Sequence, residues 1–186
     1  MLLPLLLALP AFGAELEGVQ LEERVRVDGH ELQLNGIALR TRYAFVKVYV
    51  AGLYLPARAS TAQAAIEADG PKRIVLVMLR DASAQQFVES IEAGMRANNS
   101  EAQIAAVKPQ SDALMAMIRG VGQAREGMRI VLDYEPSALG TTLVVDGTAQ
   151  GKPMAGKAFN QALLRIWLGE DPVQPDLKEA LLGGVP

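Results

Sequence analysis

Between residues 25 and 55 apolar and polar side chains alternate or merge into β-branched runs, a period of two that predicts strands. Val25 to Leu34 alternates around Asp28-Gly29, a pair that favours a tight hairpin turn. Arg40 to Leu55 follows as one long strand, or two separated by a bend, and stops at Pro56. The pattern then shifts to a short helix over Thr61–Ala68, closed by Gly70-Pro71. Arg73–Arg80 is apolar on both faces, as in a strand at the centre of a covered sheet.

The middle of the chain is helical. Ser83 and Gln86 have capping-box spacing, and Phe87, Ile91 and Met95 recur every four residues on one face. A second helix starts near Glu101, is interrupted at Pro109, resumes through Leu114, Met117 and Ile118, and stops at Gly120. Met128–Tyr134 and Thr141–Val145 return to strand, with Asp146-Gly147 as a second hairpin signal. After Pro153 a helix carries Phe159, Leu163, Ile166 and Trp167 on one side. A terminal helix, with Asp176 and Glu179 at its start, ends at Gly183-Gly184. Strands, then helices, then strands and helices again indicate α+β and not a regular alternation.

No linker or repeat divides residues 15–186, which read as a single domain. Residues 1–14 are uncharged and nearly all apolar, too short to span a bilayer. With Pro10 as breaker and small residues before a cut near Gly13 or Ala14, they read as a signal peptide, although no cation precedes the apolar run. A buried N-terminal strand is the alternative. Export places the mature chain in the periplasm or outside the cell, with no stable membrane span.

Composition removes several chemistries. A formal net charge of −3 and the lack of a basic stripe exclude nucleic acid as partner. Without cysteine there are no disulfides, thiolate metal sites or cysteine nucleophiles. His30 is the one histidine, so neither a histidine-built metal site nor a Ser-His-Asp triad is expected. No phosphate-binding glycine loop exists, and no cofactor is implied.

The chemistry gathers in Arg40–Pro56, where Arg40, Arg42, Lys47, Tyr43, Tyr49 and Tyr54 punctuate an apolar run. Cationic heads and phenols carried into a sheet suit an anionic or phenolic ligand with an apolar body. Tyr49 and Tyr54, five residues apart, face opposite ways, and Tyr49 shares its side with Ala51 and Leu53. For each tyrosine, core packing with a satisfied hydroxyl is the bland alternative. Arg80 shares a face with Ile74, Leu76 and Met78, so it must reach water or find an anion. It could clamp a carboxylate, or snorkel and pair with Asp81 or Glu89. Asp133 and Glu135 read as a solvated strand end, and Ser83 as a helix cap.

The order of residue types in Phe45, Val46, Lys47, Gly52, Tyr54 and Leu55, preceded by Gly36 to Arg40, resembles the chalcone isomerase-like family. Ala162 to Val173 supplies a second match, the family's late helix followed by Gly-Glu-Asp-Pro-Val. The similarity runs from about Gly18 to Leu182 and points to the bacterial, non-flavonoid branch related to the fatty-acid-binding members. It implies a large antiparallel sheet covered on one face by helices. It also implies that Arg40, after a glycine-rich turn, receives developing phenolate or enolate charge in isomerases. In the fatty-acid-binding branch an arginine just before the first long helix, here Arg80, holds the carboxylate.

Two departures from the plant isomerases weigh against flavonoid chemistry. Tyr49 stands where they carry a threonine, and the helix from Ser83 has no tyrosine. The expectation is therefore a non-catalytic periplasmic protein holding a small amphipathic carboxylate, fatty-acid-like, with Arg40, Tyr49, Arg80, Met78, Phe87 and Ile91 at the ligand. The alternative is an intramolecular lyase acting on a chalcone-like enone, with Arg40 and Tyr49 catalytic. An envelope scaffold without ligand is the third reading; it requires paired arginines and no cavity.

Overall fold

The computed structural model describes residues 12–43, 45–137 and 140–185. It begins with a hairpin of β1 (Phe12–Leu16) and β2 (Val19–Glu22), turned by Glu17 and Gly18 at positive φ of 53° and 76°. Residues 1–11 of the expected leader lie outside the described residues, and Phe12–Ala14 are part of β1.

Seven strands form one antiparallel sheet whose spatial order is the chain order. They are β3 (Arg24–Val27), β4 (His30–Arg42), β5 (Val46–Leu55), β6 (Lys72–Met78), β7 (Arg129–Glu135), β8 (Gly140–Val145) and β9 (Thr148–Met154). Asp28-Gly29 and Asp146-Gly147 make the β3–β4 and β8–β9 turns, with both residues of each pair at positive φ, as a type I′ turn demands. Between β5 and β6 lies α1 (Ala62–Glu67), capped by Thr61. Between β6 and β7 lie α2 (Ala84–Asn98), α3 (Glu101–Ala106) and α4 (Lys108–Val121). After β9 come α5 (Lys157–Leu168) and α6 (Pro175–Leu181).

The sheet separates two cores. On the helix side Tyr49, Ala51, Leu53, Leu76 and Met78 pack under Ile91, Met95, Leu114, Phe159 and Trp167. On the other side Val50, Tyr54, Val75 and Val131 pack with Leu21 of the N-terminal hairpin. The helices thus cover one face, as expected, and the β1–β2 hairpin covers part of the other. Ser83 and Gln86 close their capping box, and Ser100 with Gln103 repeats it at α3.

Three expectations need correction. Of the two forms expected for Arg40–Leu55 the structure takes the one with two strands, but Arg40 belongs to the end of the strand that starts at His30. Gly36 to Arg40 is extended β4 and not a turn; a bulge leaves Asn35 unpaired between Leu34 and Gly36. A Cβ on Gly36 would stand 2.7 Å from the Leu181 carbonyl oxygen, so the glycine is there to admit the end of α6. Asp133 is buried rather than solvated: Arg73, its cross-strand partner, donates from Nε and Nη2 to its carboxylate at 2.6 and 2.7 Å. Among the described residues no helix is long and apolar enough to cross a membrane.

Candidate functional site

A cavity of about 570 Å³ opens where the β4–β5 hairpin, the end of β6, α2 and the α5–α6 loop meet. Its size falls in the range of small-molecule sites. The sheet side of this wall depends on a second bulge. Arg40 pairs with Tyr49 but Thr41 pairs with Lys47, which leaves Val48 as an extra residue. Two β5 side chains therefore oppose one on β4, and Val46, Val48 and Tyr49 all reach the cavity. Across it stand Phe87, Ser90, Ile91 and Gly94 of α2, with Trp167 from α5. Gly94 has no room for a Cβ, which would stand 2.8 Å from Ile166 Cγ2, so α2 and α5 touch closely there.

Tyr49 is the polar centre. Its hydroxyl accepts a hydrogen bond from Trp167 Nε1 at 3.0 Å. Indole N–H can only donate, so the phenol's own proton is free to donate elsewhere. Among the described residues no acceptor takes it. Burial pushes the Tyr49 phenol up from its ordinary pKa, against the opposing pull of the Trp167 bond and the Arg40 charge. A phenol is neutral at physiological pH even at its ordinary pKa, and burial acts in the same direction.

Arg40 lies on the next strand over, half-buried, its Nη1 donating to the Thr41 carbonyl and to Gln174 Oε1 at 3.2 Å. Gln174 also accepts from Thr41 N at 2.9 Å, which ties the α5–α6 loop to the end of β4. No carboxylate pairs with Arg40 or Arg80 among the described residues. Arg80 lies two residues past the end of β6, exposed on the cavity rim beside Asp81. The Asp81 carboxylate is engaged by Gln123 Nε2 at 3.0 Å and by Glu126 N at 2.9 Å.

Five of the six residues expected at a ligand meet here: Arg40, Tyr49, Arg80, Phe87 and Ile91. Met78 does not. It pairs with Tyr49 on β6 and faces the same side, but it is packed into the core instead of lining the cavity, as is Met95. Ala51 and Leu53 are likewise sealed within that core. Sequence reasoning missed Val48, Gln174 and the polar role of Trp167. It also missed the loop Asp171–Val173, held by Asn98, which accepts from Asp171 N at 2.9 Å and donates to Asp171 O at 2.7 Å. Among the described residues no cluster of potential metal ligands occurs.

These features define an α+β protein with a basic-mouthed, largely apolar cavity between sheet and helices. The chain belongs to the chalcone isomerase-like family, whose model matches residues 13–183. A search of curated protein sequences finds no significant match. Among solved structures, a fatty-acid binding protein of Arabidopsis thaliana is similar, with a TM-score of 0.67 at 14% identity. That alignment covers 89% of this chain and 92% of the other, and at such low identity it speaks for the fold.

Proposed function

We propose that the protein is a non-catalytic carrier of an amphipathic carboxylate, a fatty acid or a close analogue. The observation that carries this reading is the Tyr49 hydroxyl, which accepts from Trp167 and is left with a proton to give in a cavity that Arg40 also lines. A carboxylate there would accept from the phenol and from the remaining Arg40 N–H groups, with Arg80 at the rim as a second cation. Phe87, Ile91, Val46 and Val48 supply apolar wall for the chain, each buried methylene contributing about 0.8 kcal/mol. The structurally similar Arabidopsis protein is a fatty-acid binding protein, which agrees with this reading. The scaffold reading fits less well with a cavity bordered by Arg40, Arg42 and Arg80, none of which pairs with a carboxylate among the described residues.

The enone-lyase reading keeps Arg40 and Tyr49 as anion stabiliser and hydroxyl donor. It lacks a second phenol: α2 contains no tyrosine, and Tyr43 sits exposed at the rim. Intramolecular addition needs an oriented electrophile as well as a stabilised anion, and the cavity supplies the second. We also propose that residues 1–14 are removed on export to the periplasm.

Native mass spectrometry of the purified protein, followed by denaturing extraction, tests the cargo. A stoichiometric fatty acid that is lost in Arg40→Ala and weakened in Arg80→Ala is the expected result. An empty protein that cyclises an enone, with turnover abolished in Arg40→Ala, would overturn it. Intact mass of the chain recovered from the periplasm reads the cut near Ala14, and an uncut cytoplasmic chain refutes export.

A further inference from the structure

Among the described residues three large apolar side chains are left exposed, and two of them, Tyr43 and Phe45, flank the β4–β5 turn at 71% and 80% exposure. Single exposed apolar residues are ordinary. Two rings on one turn, with Tyr43 lining the cavity and Phe45 two residues further on, are a local concentration. Tyr43 also has a φ of 53°, a left-handed conformation a tyrosine rarely adopts. The Arg42 guanidinium lies over its ring, 5.1 Å from the centroid.

The charge around this tip is opposite in sign to that of the whole chain. Arg40, Arg42 and Arg80 border the mouth, against Asp81 and Asp171, while the chain carries −3. Asp81 is already engaged by Gln123 and Glu126, and Lys47 is paired with Glu17 at 2.5 Å. Aromatic rings with an apolar body settle at the headgroup level of a bilayer, and arginines beside them attract anionic lipid. Two rings bury about 300–500 Å² between them. A specific protein–protein interface needs roughly 1,000 Å² or more, so the tip suits insertion into a lipid surface better than a protein partner.

We propose that the β4–β5 tip docks the cavity mouth onto an anionic phospholipid surface, with Tyr43 and Phe45 inserted and Arg42 and Arg80 against the headgroups. Docking does not require the cargo reading to hold. If both hold, the tip places the Arg40–Tyr49 pair where an amphipathic carboxylate leaves or enters a bilayer.

Flotation with vesicles of phosphatidylcholine, alone or mixed with phosphatidylglycerol, tests this. The protein is expected to float with mixed vesicles and weakly with neutral ones. Phe45 does not line the cavity, and its exposure makes Phe45→Ser safe for the fold. That variant should lose partitioning about tenfold or more. Arg42→Gln should lose about fivefold on mixed vesicles and little on neutral ones. Phe45→Trp should shift its emission to the blue on mixed vesicles, whereas the buried Trp167 should not respond. A protein that stays in bulk, floats equally well as Phe45→Ser, or dimerises through the tip in native mass spectra would overturn the proposal. Fatty-acid occupancy of Phe45→Ser separates the two ideas. A loaded wild-type protein that does not dock refutes docking alone, and an empty one that docks refutes cargo alone.

Discussion

Replacing Tyr49 by phenylalanine removes one oxygen from the centre of the cavity and tests whether that oxygen serves a ligand or the fold. Two consequences separate. The first is stability: Trp167 Nε1–H, 3.0 Å from the hydroxyl and buried, loses its acceptor. A buried donor left unpaired costs about 1–3 kcal/mol. Part of this is returned because the phenol no longer has to be buried, so the net loss should be about 1–2 kcal/mol. For a domain of this size that lowers Tm by about 2–8 °C. The second is affinity: a hydrogen bond to a charged acceptor contributes about 1.5–3 kcal/mol. Fatty-acid Kd should therefore rise roughly 10–150-fold.

Calorimetric titration with a saturated fatty acid, alongside thermal unfolding without ligand, reads both. Trp167→Phe is the companion variant: it removes the indole donor, leaves the Tyr49 hydroxyl in place and should weaken binding far less. If Tyr49→Phe binds within about twofold of wild type while Tm falls as expected, the hydroxyl serves only Trp167, and the assigned head-group position is wrong.

Three other perturbations have worked-out outcomes. Lys72, 1% exposed, donates from Nζ to Ile66 O at 3.2 Å, lies 5.2 Å from the Tyr134 ring, and burial with the nearby Lys157 charge lowers its pKa from the usual 10.5 to about 8. The folded amine loses its proton before the unfolded one, so stability should rise with pH between about 8 and 10, by at most about 1.4 kcal/mol per unit. Urea midpoints across that window should show the rise in wild type, and an equal rise in Lys72→Met would refute the assignment. Gly36→Ala should destabilise by about 1–3 kcal/mol, since its methyl meets the α6 carbonyls; an unchanged urea midpoint would refute the close approach. Asp133→Asn should cost up to about 3 kcal/mol because it strands the partly buried Arg73, and an Arg73→Met/Asp133→Leu double variant should recover much of it. A single variant as stable as the double would contradict that account.

What the chain discloses in one dimension follows from how local each determinant is. Asp28-Gly29 and Asp146-Gly147 marked their hairpins because Asp and Gly tolerate the left-handed conformations a type I′ turn requires. Glu17-Gly18 makes a turn with the same sign of φ, but glutamate carries no such preference, and the β1–β2 hairpin went unread. The opposite facing of Tyr49 and Tyr54 follows from the pleat alone and is found in the two separate cores. The bulge at Asn35 was invisible because its side chain is held from outside its own strand, by Ala59 and by Leu181, which is 146 residues away in sequence.

The candidate site shows the same limit. Arg40, Tyr49 and Arg80 stood out as charged or phenolic residues within apolar strands, and all three border the cavity. Met78 stood out by the same parity and does not, since parity gives a face but not a depth. The missing depth is supplied by the other motif. Ala162 to Val173 contributes Trp167, which orients the Tyr49 hydroxyl, and Asp171 to Val173, which wall the mouth. Gln174, the next residue, fixes Arg40 and Thr41. The two segments that resemble the family are therefore the two halves of one polar arrangement, more than 100 residues apart in the chain. The Trp167 N–H, buried, needs an acceptor and finds it in the Tyr49 hydroxyl, which leaves the phenol's own proton without an acceptor among the described residues.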